Sequence, residues 1–151
     1  MNESTIKVRL MKNDDFDAVV KIDEKVLKTS RQEFYEIKFE KLFKSKEYLP
    51  TSLVAEKQDG TVVGFIMGQL FMGEYGIFED EANLDTIGVD PDYQKQGIGE
   101  MLVNEYMDHL KELGVRKVNT MVDRNDAKML HFLNSNQFSA STTIVSLERI
   151  L

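Results

Sequence analysis

The feature that most constrains the fold is a change of hydrophobic period in the middle of the chain. We interpret residues 83–89 as a strand, and a turn containing Gly97 and Gly99 follows it. Over residues 97–113 the apolar side chains recur at helical spacing, which predicts a long amphipathic helix. That apolar stripe consists of Ile98, Leu102, Tyr106, Leu110 and Leu113. A strand that leads through a short turn into such a helix is typical of α/β sheet domains.

The other segments also alternate between strand and helix patterns. Gln58-Asp59-Gly60 has the composition of a hairpin turn between two strands, and residues 72–81 are expected to form a looser connection. The predicted strands are residues 5–11, 51–56, 61–71, 83–89, 115–122 and 138–147, and the predicted helices are residues 16–27, 31–46, 97–113 and 126–135. Since the sequence has no linker or repeat, we predict one α/β domain over residues 1–151, with about six to seven strands and about four helices.

Cysteine and histidine usage excludes several kinds of site. The chain has no cysteine and two histidines. This excludes a disulfide framework, a thiolate nucleophile and an iron–sulfur cluster, and it argues against a zinc site or any other metal centre. The absence of cysteine fits a reducing compartment. Without an apolar run of roughly 18 residues or a signal-peptide pattern, we expect a soluble, cytoplasmic protein with no membrane partner.

The charge balance narrows the choice of partner. Nineteen Lys and Arg residues against 26 Asp and Glu residues give a net charge of −7. This is the wrong balance for binding nucleic acid through its phosphates, so we expect no nucleic-acid partner. A negative surface favours cationic partners such as amines or basic peptides, although acidity that serves only solubility explains the same numbers.

The turn at the start of the long helix is the segment that indicates chemistry. The first N–H groups of a helix have no intrahelical partner, and glycines let the backbone approach phosphate oxygens closely. The alternative is that Gly97 and Gly99 only make a tight turn. A dinucleotide-binding fingerprint would require a third glycine at the position of Leu102.

The segment Gln94-Lys95-Gln96-Gly97-Ile98-Gly99 resembles the Gln/Arg-x-x-Gly-x-Gly/Ala signature of the GNAT acyl-CoA N-acyltransferase family. Val89-Asp90-Pro91 resembles the usual lead-in, and the segment from Asn125-Asp126 to Phe138 resembles a downstream motif. The resemblance implies a single-domain GNAT-like fold with a central mixed, mostly antiparallel sheet. It also implies transfer of an acetyl group from acetyl-CoA, as co-substrate, to a primary amine of a small molecule, peptide or protein by direct attack. The alternative is an acyl-CoA-binding sensor or regulatory module on the same fold.

The resemblance also assigns coenzyme-binding residues. It places the coenzyme pyrophosphate on the turn, at Gln94, Lys95, Gln96, Gly97, Ile98 and Gly99. It places the pantetheine arm between residues 84–89 and 115–122, paired with the main chain at Ile87 and Val89. The N–H of Ile87 is then a candidate donor to the thioester oxygen. Asn125 is expected near the coenzyme mouth, with helix capping as its alternative role.

Amine acylation requires a base, because a lysine-like amine has a pKa of about 10.4. Asp85 is the first candidate, and Asn83 shares its face of the strand by alternation. The alternative for Asp85 is a carboxylate that orders a loop or binds a cationic substrate. The acidic run of Glu79, Asp80 and Glu81 could act through water or simply be solvated.

Two positions depart from the family pattern. Met121 occupies the place where some members carry a glutamate base, and Leu133 occupies the place of a tyrosine that protonates the leaving thiolate. The acceptor site is expected to come from residues 26–48 and 72–83, which leaves the amine unidentified. Unpaired strand edges are compatible with a homodimer.

Overall fold

The computed structural model describes residues 5–44, 51–72 and 78–151, except for the side chains of residues 71, 72 and 78–80. It divides into two compact units, Met1–Thr120 and Met121–Leu151.

The first unit holds one sheet and three of the α-helices found among the described residues. Its strands are β1 (Ile6–Leu10), β2 (Leu53–Lys57), β3 (Val62–Met72), β4 (Phe78–Val89) and β5 (Lys117–Asn119). Its helices are α1 (Phe16–Leu27), α2 (Gln32–Lys44) and α3 (Ile98–Glu112), with short 3₁₀ turns at Asn13–Asp15 and Pro91–Tyr93. The second unit contains α4 (Ala127–Ser135). The four predicted helices are therefore confirmed, and the α/β class with them.

The sheet is mixed and mostly antiparallel, in the order β1-β2-β3-β4-β5. The first four strands pair antiparallel, and β5 pairs parallel to β4. Five strands are present in the described chain, so the predicted count of six to seven is wrong there. The predicted closing strand, residues 138–147, forms no strand, and Ile144, Val145 and Leu147 are exposed. An apolar, β-favouring sequence does not supply the neighbouring strand that a ladder needs.

Two further boundaries differ from prediction. Strand β4 begins at Phe78, so the last part of the connection expected over residues 72–81 is strand. Strand β5 covers only Lys117–Asn119, whereas residues 115–122 were predicted as strand. The turns are confirmed: Gly60 and Gly114 have φ angles of 91° and 90°, the left-handed region that glycine adopts without strain.

Helices cover both faces of the sheet in the first unit. Phe65 of β3 packs edge-on against Tyr35 of α2, with ring centroids 6.1 Å apart. Its neighbour Gly64 faces the other way, where a Cβ atom would lie 3.1 Å from Leu102 and 3.3 Å from Ile98 of α3. Adjacent strand residues point to opposite faces, so α1 and α2 lie on one side and α3 lies on the other. Strand β4 is thus held between helices while its outer edge faces β5.

Candidate functional site

Strands β4 and β5 separate after a short stretch of pairing. Their register runs over three residue pairs, from Glu81↔Lys117 to Asn83↔Asn119. β5 then ends, while β4 continues to Val89. The hydroxyl of Thr120 donates a hydrogen bond of 2.9 Å to the carbonyl oxygen of Leu84, which closes the paired stretch. Among the described residues of the first unit, no strand pairs with the outer edge of β4 beyond Leu84.

The hydrogen bonds to β3 show which main-chain groups point to this open edge. The N–H of Asp90 donates to the carbonyl oxygen of Val63 over 2.8 Å. Opposite residues in an antiparallel pair alternate between bonded and non-bonded pairs. Following the register back, Gly64↔Val89 and Ile66↔Ile87 are non-bonded pairs. The N–H groups of Ile87 and Val89 therefore point away from β3, toward the open edge.

The segment after β4 is a turn that side-chain hydrogen bonds stabilise. The carboxylate of Asp90 accepts hydrogen bonds from the N–H of Asp92 (3.0 Å) and from Nζ of Lys25 on α1 (2.9 Å). Nε2 of Gln94 donates to the carbonyl oxygen of Val89 over 3.0 Å. The side chain of Gln94 thus occupies the carbonyl oxygen of Val89, so that of the two main-chain groups of Val89 the N–H is the one left free at the edge.

The turn then enters α3 through two left-handed residues. Lys95 has a φ angle of 66° and Gly97 has a φ angle of 80°. A Cβ atom built on Gly97 meets nothing within 4 Å, so glycine is favoured there by its backbone angle and not by lack of space.

The N-terminus of α3 presents free donors to the outside. Helix α3 begins at Ile98, and the N–H of Met101 is the first that bonds back, to the carbonyl oxygen of Gly97. The N–H groups of Ile98, Gly99 and Glu100 have no partner within the helix, and no other described residue accepts from them. Gln96 and Gly97 are exposed beside them. Together with the helix dipole, these groups make an anion-binding surface.

Asp85 lies at an irregularity of β4. The register passes from Met67↔Thr86 to Gly68↔Leu84, so Asp85 is an extra residue, a β-bulge. Its Oδ2 accepts a hydrogen bond of 2.5 Å from Nζ of Lys38 on α2. The side chains of Lys38 and Asp85 are 23% and 16% exposed. The candidate base is therefore paired with a lysine of the same chain. No local signal marks Lys38, which lies 47 residues away in sequence.

Asn83 lies just before the bulge, at the last pair with β5. Its Oδ1 is buried and is the one such side-chain atom without a hydrogen-bond partner in the described part of the chain. Its main-chain oxygen accepts a hydrogen bond of 2.8 Å from the hydroxyl of Tyr106 on α3. Burial, and then the charge of Asp85, raise the pKa of Tyr106 well above its usual value. Tyr106 therefore remains a neutral donor that holds β4 in place.

In the acidic run before Asn83, the side chain that the structure describes is that of Glu81, and it has a structural role. Oε1 of Glu81 accepts from Nδ2 of Asn119 over 2.9 Å and lies 3.5 Å from Nζ of Lys117, both on β5. The hydrogen bond from Asn119, helped by the charge of Lys117, lowers the pKa of Glu81. Glu81 thus ties β5 to β4. The side chains of Glu79 and Asp80 lie outside the described residues.

Asn125 belongs to the second unit. Its N–H donates to Oδ1 of Asp123 over 2.7 Å, and Asp126 caps α4 by accepting from the N–H of Met129. Leu133, at the position predicted for a tyrosine, is buried. Gln137 follows α4 with a φ angle of 71°. A glycine is favoured at this angle, so a residue with a side chain is strained at this position.

Among the side chains that the structure describes, no group of three or more His, Cys, Asp or Glu residues could hold a metal ion. Of the helices the structure describes, none has the length and apolar character needed to span a membrane.

Comparison with known proteins links this geometry to a family. The family model described as "Acetyltransferase (GNAT) family" matches residues 16–137. The chain is 33% identical over 85 residues to the [ribosomal protein bS18]-alanine N-acetyltransferase of Escherichia coli, covering 56% of this chain and 53% of that protein. It is 31% identical over 93 residues to the mycothiol acetyltransferase of Propionibacterium freudenreichii subsp. shermanii, covering 62% of this chain and 29% of that protein.

The chain therefore spans about half the length, or less, of these curated relatives. Among solved structures, a GNAT family acetyltransferase from Brucella melitensis in complex with acetyl-CoA aligns with a TM-score of 0.64 and 25% identity. That alignment covers 85% of this chain and 82% of the other. Since the family match extends from the start of α1 to the residue before Phe138, this chain belongs to the GNAT acetyltransferase family.

Proposed function

We propose that the protein is an N-acetyltransferase that moves an acetyl group from acetyl-CoA to a primary amine. The observation that carries the proposal is the continuity of two surfaces. The open edge of β4 leads directly, through a left-handed turn, into the exposed N-terminus of α3. One extended ligand with an amide-bearing arm and a phosphate group fits such a path.

The phosphate part of the coenzyme is assigned to the turn. The N–H groups of Gly97, Ile98 and Gly99, with that of Gln96, supply donors in a protein whose net charge of −7 would otherwise repel an anion. Lys95 adds a cation at the same turn. Gln94 lies at the same turn, where its bond to the carbonyl oxygen of Val89 fixes the position of its side chain.

The pantetheine arm is assigned to the edge of β4, where the N–H groups of Ile87 and Val89 point outward. Amide groups of the arm would continue the ladder that β5 leaves unfinished. The Ile87 N–H is then positioned to stabilise negative charge on the thioester oxygen. The Brucella protein, crystallised with acetyl-CoA, supports this choice of ligand.

Asp85 is assigned as the base. It takes a proton from the ammonium of the acceptor, directly or through water, so that the neutral amine attacks the thioester carbonyl. A nitrogen–carbon bond forms, the carbon–sulfur bond breaks, and the coenzyme leaves as a thiolate, which takes up the second proton lost by the nitrogen. A thiol has a pKa of about 8.5, so the thiolate can leave without the tyrosine that Leu133 replaces. Asn83, on the same face, offers its unpartnered Oδ1 to the amine.

The acceptor class is a primary amine of a small molecule or of a peptide or protein. The curated relatives are named for an alanine of a ribosomal protein and for mycothiol, and both names fit this class. The acceptor is proposed to lie against residues 26–48 and 72–83.

We propose one functional domain over residues 1–151, since the family match crosses the boundary between the two units, and we keep Asn125 as a proposed coenzyme-binding residue. A cytoplasmic location and a homodimer belong to the same proposal; the absence of cysteine supports the first and the open sheet edges support the second. No metal, nucleic acid or membrane is assigned a role.

A second function, an acyl-CoA sensor with little catalysis, is favoured by one observation. The carboxylate of Asp85 is already paired with Lys38. Coenzyme binding without turnover on a broad panel of amines would support the sensor.

The first test is isothermal titration of the purified protein with acetyl-CoA, with desulfo-CoA and NADH as controls. We expect micromolar binding of the two coenzyme A compounds and none of NADH. Thiol release that depends on an added amine would then establish transfer. If neither coenzyme A compound binds, the turn at Gln94–Gly99 is only structural and the proposal fails.

A further inference from the structure

We propose that Lys38 is an internal acyl acceptor, so that the protein acetylates its own α2 helix at this residue. The proposal rests on the proposed function, because it needs acetyl-CoA bound along β4. Its starting point is the contact between Nζ of Lys38 and Oδ2 of Asp85. The structure thereby already brings a primary amine to the candidate base.

The position of Lys38 is constrained from two sides. Nζ is bonded to Asp85 and lies 5.4 Å from the centre of the Phe34 ring, a cation–π distance. With 23% of its side chain exposed, Lys38 is more enclosed than the exposed Lys41 and Lys44 of the same helix. A lysine held in this way has lost much of the freedom that normally makes surface lysines poor intramolecular nucleophiles.

The held amine is also close to the expected reaction centre. Asp85 and Ile87 are two residues apart on β4, a separation of about 7 Å along a strand. The N–H of Ile87 points to the open edge, where the thioester oxygen is assigned. Once Asp85 has taken the proton, the ion pair that holds Nζ is lost, and rotation about the bonds of the four-carbon stem can carry the neutral amine over such a distance.

The reaction balances without any other reactant. Asp85 takes one proton from the Lys38 ammonium and releases it to solvent. The neutral amine attacks the acetyl carbonyl carbon, a nitrogen–carbon bond forms and the carbon–sulfur bond breaks. The second proton lost by the nitrogen goes to the departing thiolate. The products are a neutral acetamide on Lys38 and free coenzyme A, and Asp85 loses its cationic partner.

The test is incubation of the wild-type protein with acetyl-CoA and no added amine, followed by intact-mass measurement and peptide mapping. We expect one acetyl group on Lys38, formed at a rate per molecule that does not depend on protein concentration. Lys41 and Lys44 should remain largely unmodified. Lys38→Arg should abolish the modification, and the matched variant Lys41→Arg should leave it unchanged.

Asp85→Asn, checked for native folding by circular dichroism, should slow acetylation of Lys38 at least tenfold. If that variant fails to fold, the extent of acetylation at Lys38 relative to Lys41 and Lys44 in the wild type still tests the proposal. Equal modification of the three lysines, or the same rate on Lys38 in heat-denatured protein, would overturn the proposal.

Titration of the same sample with acetyl-CoA distinguishes a failure of self-acetylation from a failure of the proposed function. Binding without modification of Lys38 overturns self-acetylation alone, whereas no binding overturns the proposed function as well.

Discussion

The carboxylates of Glu81 and Asp85 belong to the same strand, but their partners come from different parts of the fold. Glu81 lies where β4 is still paired, and its partners Asn119 and Lys117 are on β5. Asp85 lies just past the last pair, at a bulge, and its partner Lys38 comes from α2. The paired part of β4 thus uses charge to hold two strands together. The open part has main-chain donors that no strand engages, and its carboxylate is bonded to a helix and not to a neighbouring strand.

The first prediction concerns Gly97, in the turn that follows the open part of β4. Gly97→Asp is expected to lower acetyl-CoA affinity about 10²-fold or more, because a carboxylate beside the pyrophosphate costs up to several kcal/mol at an intermediate dielectric. Gly97→Ala serves as the control, since it shares the strain of the 80° φ angle without the charge. Titration calorimetry of both variants separates the two effects. Unchanged affinity in Gly97→Asp would remove the phosphate from this turn.

The second prediction removes the charge at the near end of the open part. Asp85→Asn is expected to reduce turnover about 10²-fold with coenzyme affinity intact, the usual contribution of a general base. The matched change in the paired part, Glu81→Gln, should leave turnover nearly unchanged. Steady-state thiol release over a range of pH values compares them. Wild-type turnover in Asp85→Asn would exclude Asp85 from the mechanism.

The third prediction concerns the junction between the two parts. Gly68 of β3 lies opposite Leu84, and a Cβ atom there would lie 1.8 Å from the Tyr106 hydroxyl and 2.0 Å from the Asn83 carbonyl oxygen. Gly68→Ala should therefore destabilise the fold by about 1–3 kcal/mol, the usual cost of overpacking. Denaturant unfolding measures it. Gly60→Ala serves as a strain control, since the 91° φ angle of Gly60 penalises a side chain although a Cβ atom there meets nothing within 4 Å. If Gly68→Ala lowers the free energy of unfolding by less than Gly60→Ala does, Tyr106 and Asn83 do not pack as closely against Gly68 as the structure shows.

Local features of this site could be predicted from the sequence, and long-range ones could not. Helix α3 and the left-handed Gly97 depend on nearby residues, so periodicity and turn composition reveal them. The bulge at Asp85 depends on register with β3, and the Lys38 contact joins residues from separate elements. Residues 115–122 have a strand sequence, yet β5 ends at Asn119 because pairing, and not propensity, sets its length.

The smallest effect is expected in the paired part of β4. Glu81 has a pKa below its usual value in the folded protein, so its charge contributes stability at pH values above about 4.5, and this contribution is lost as the pH falls through the folded pKa. Glu81→Gln should therefore destabilise the protein by less than about 1 kcal/mol at neutral pH, since Lys117 is half exposed. The difference from wild type should vanish in acid. Thermal unfolding at neutral and acidic pH checks this, with Lys117→Gln as the matched variant. A difference that grows in acid would mean that Glu81 does not act as a charged tie between β4 and β5, and the contrast with Asp85 would lose its basis.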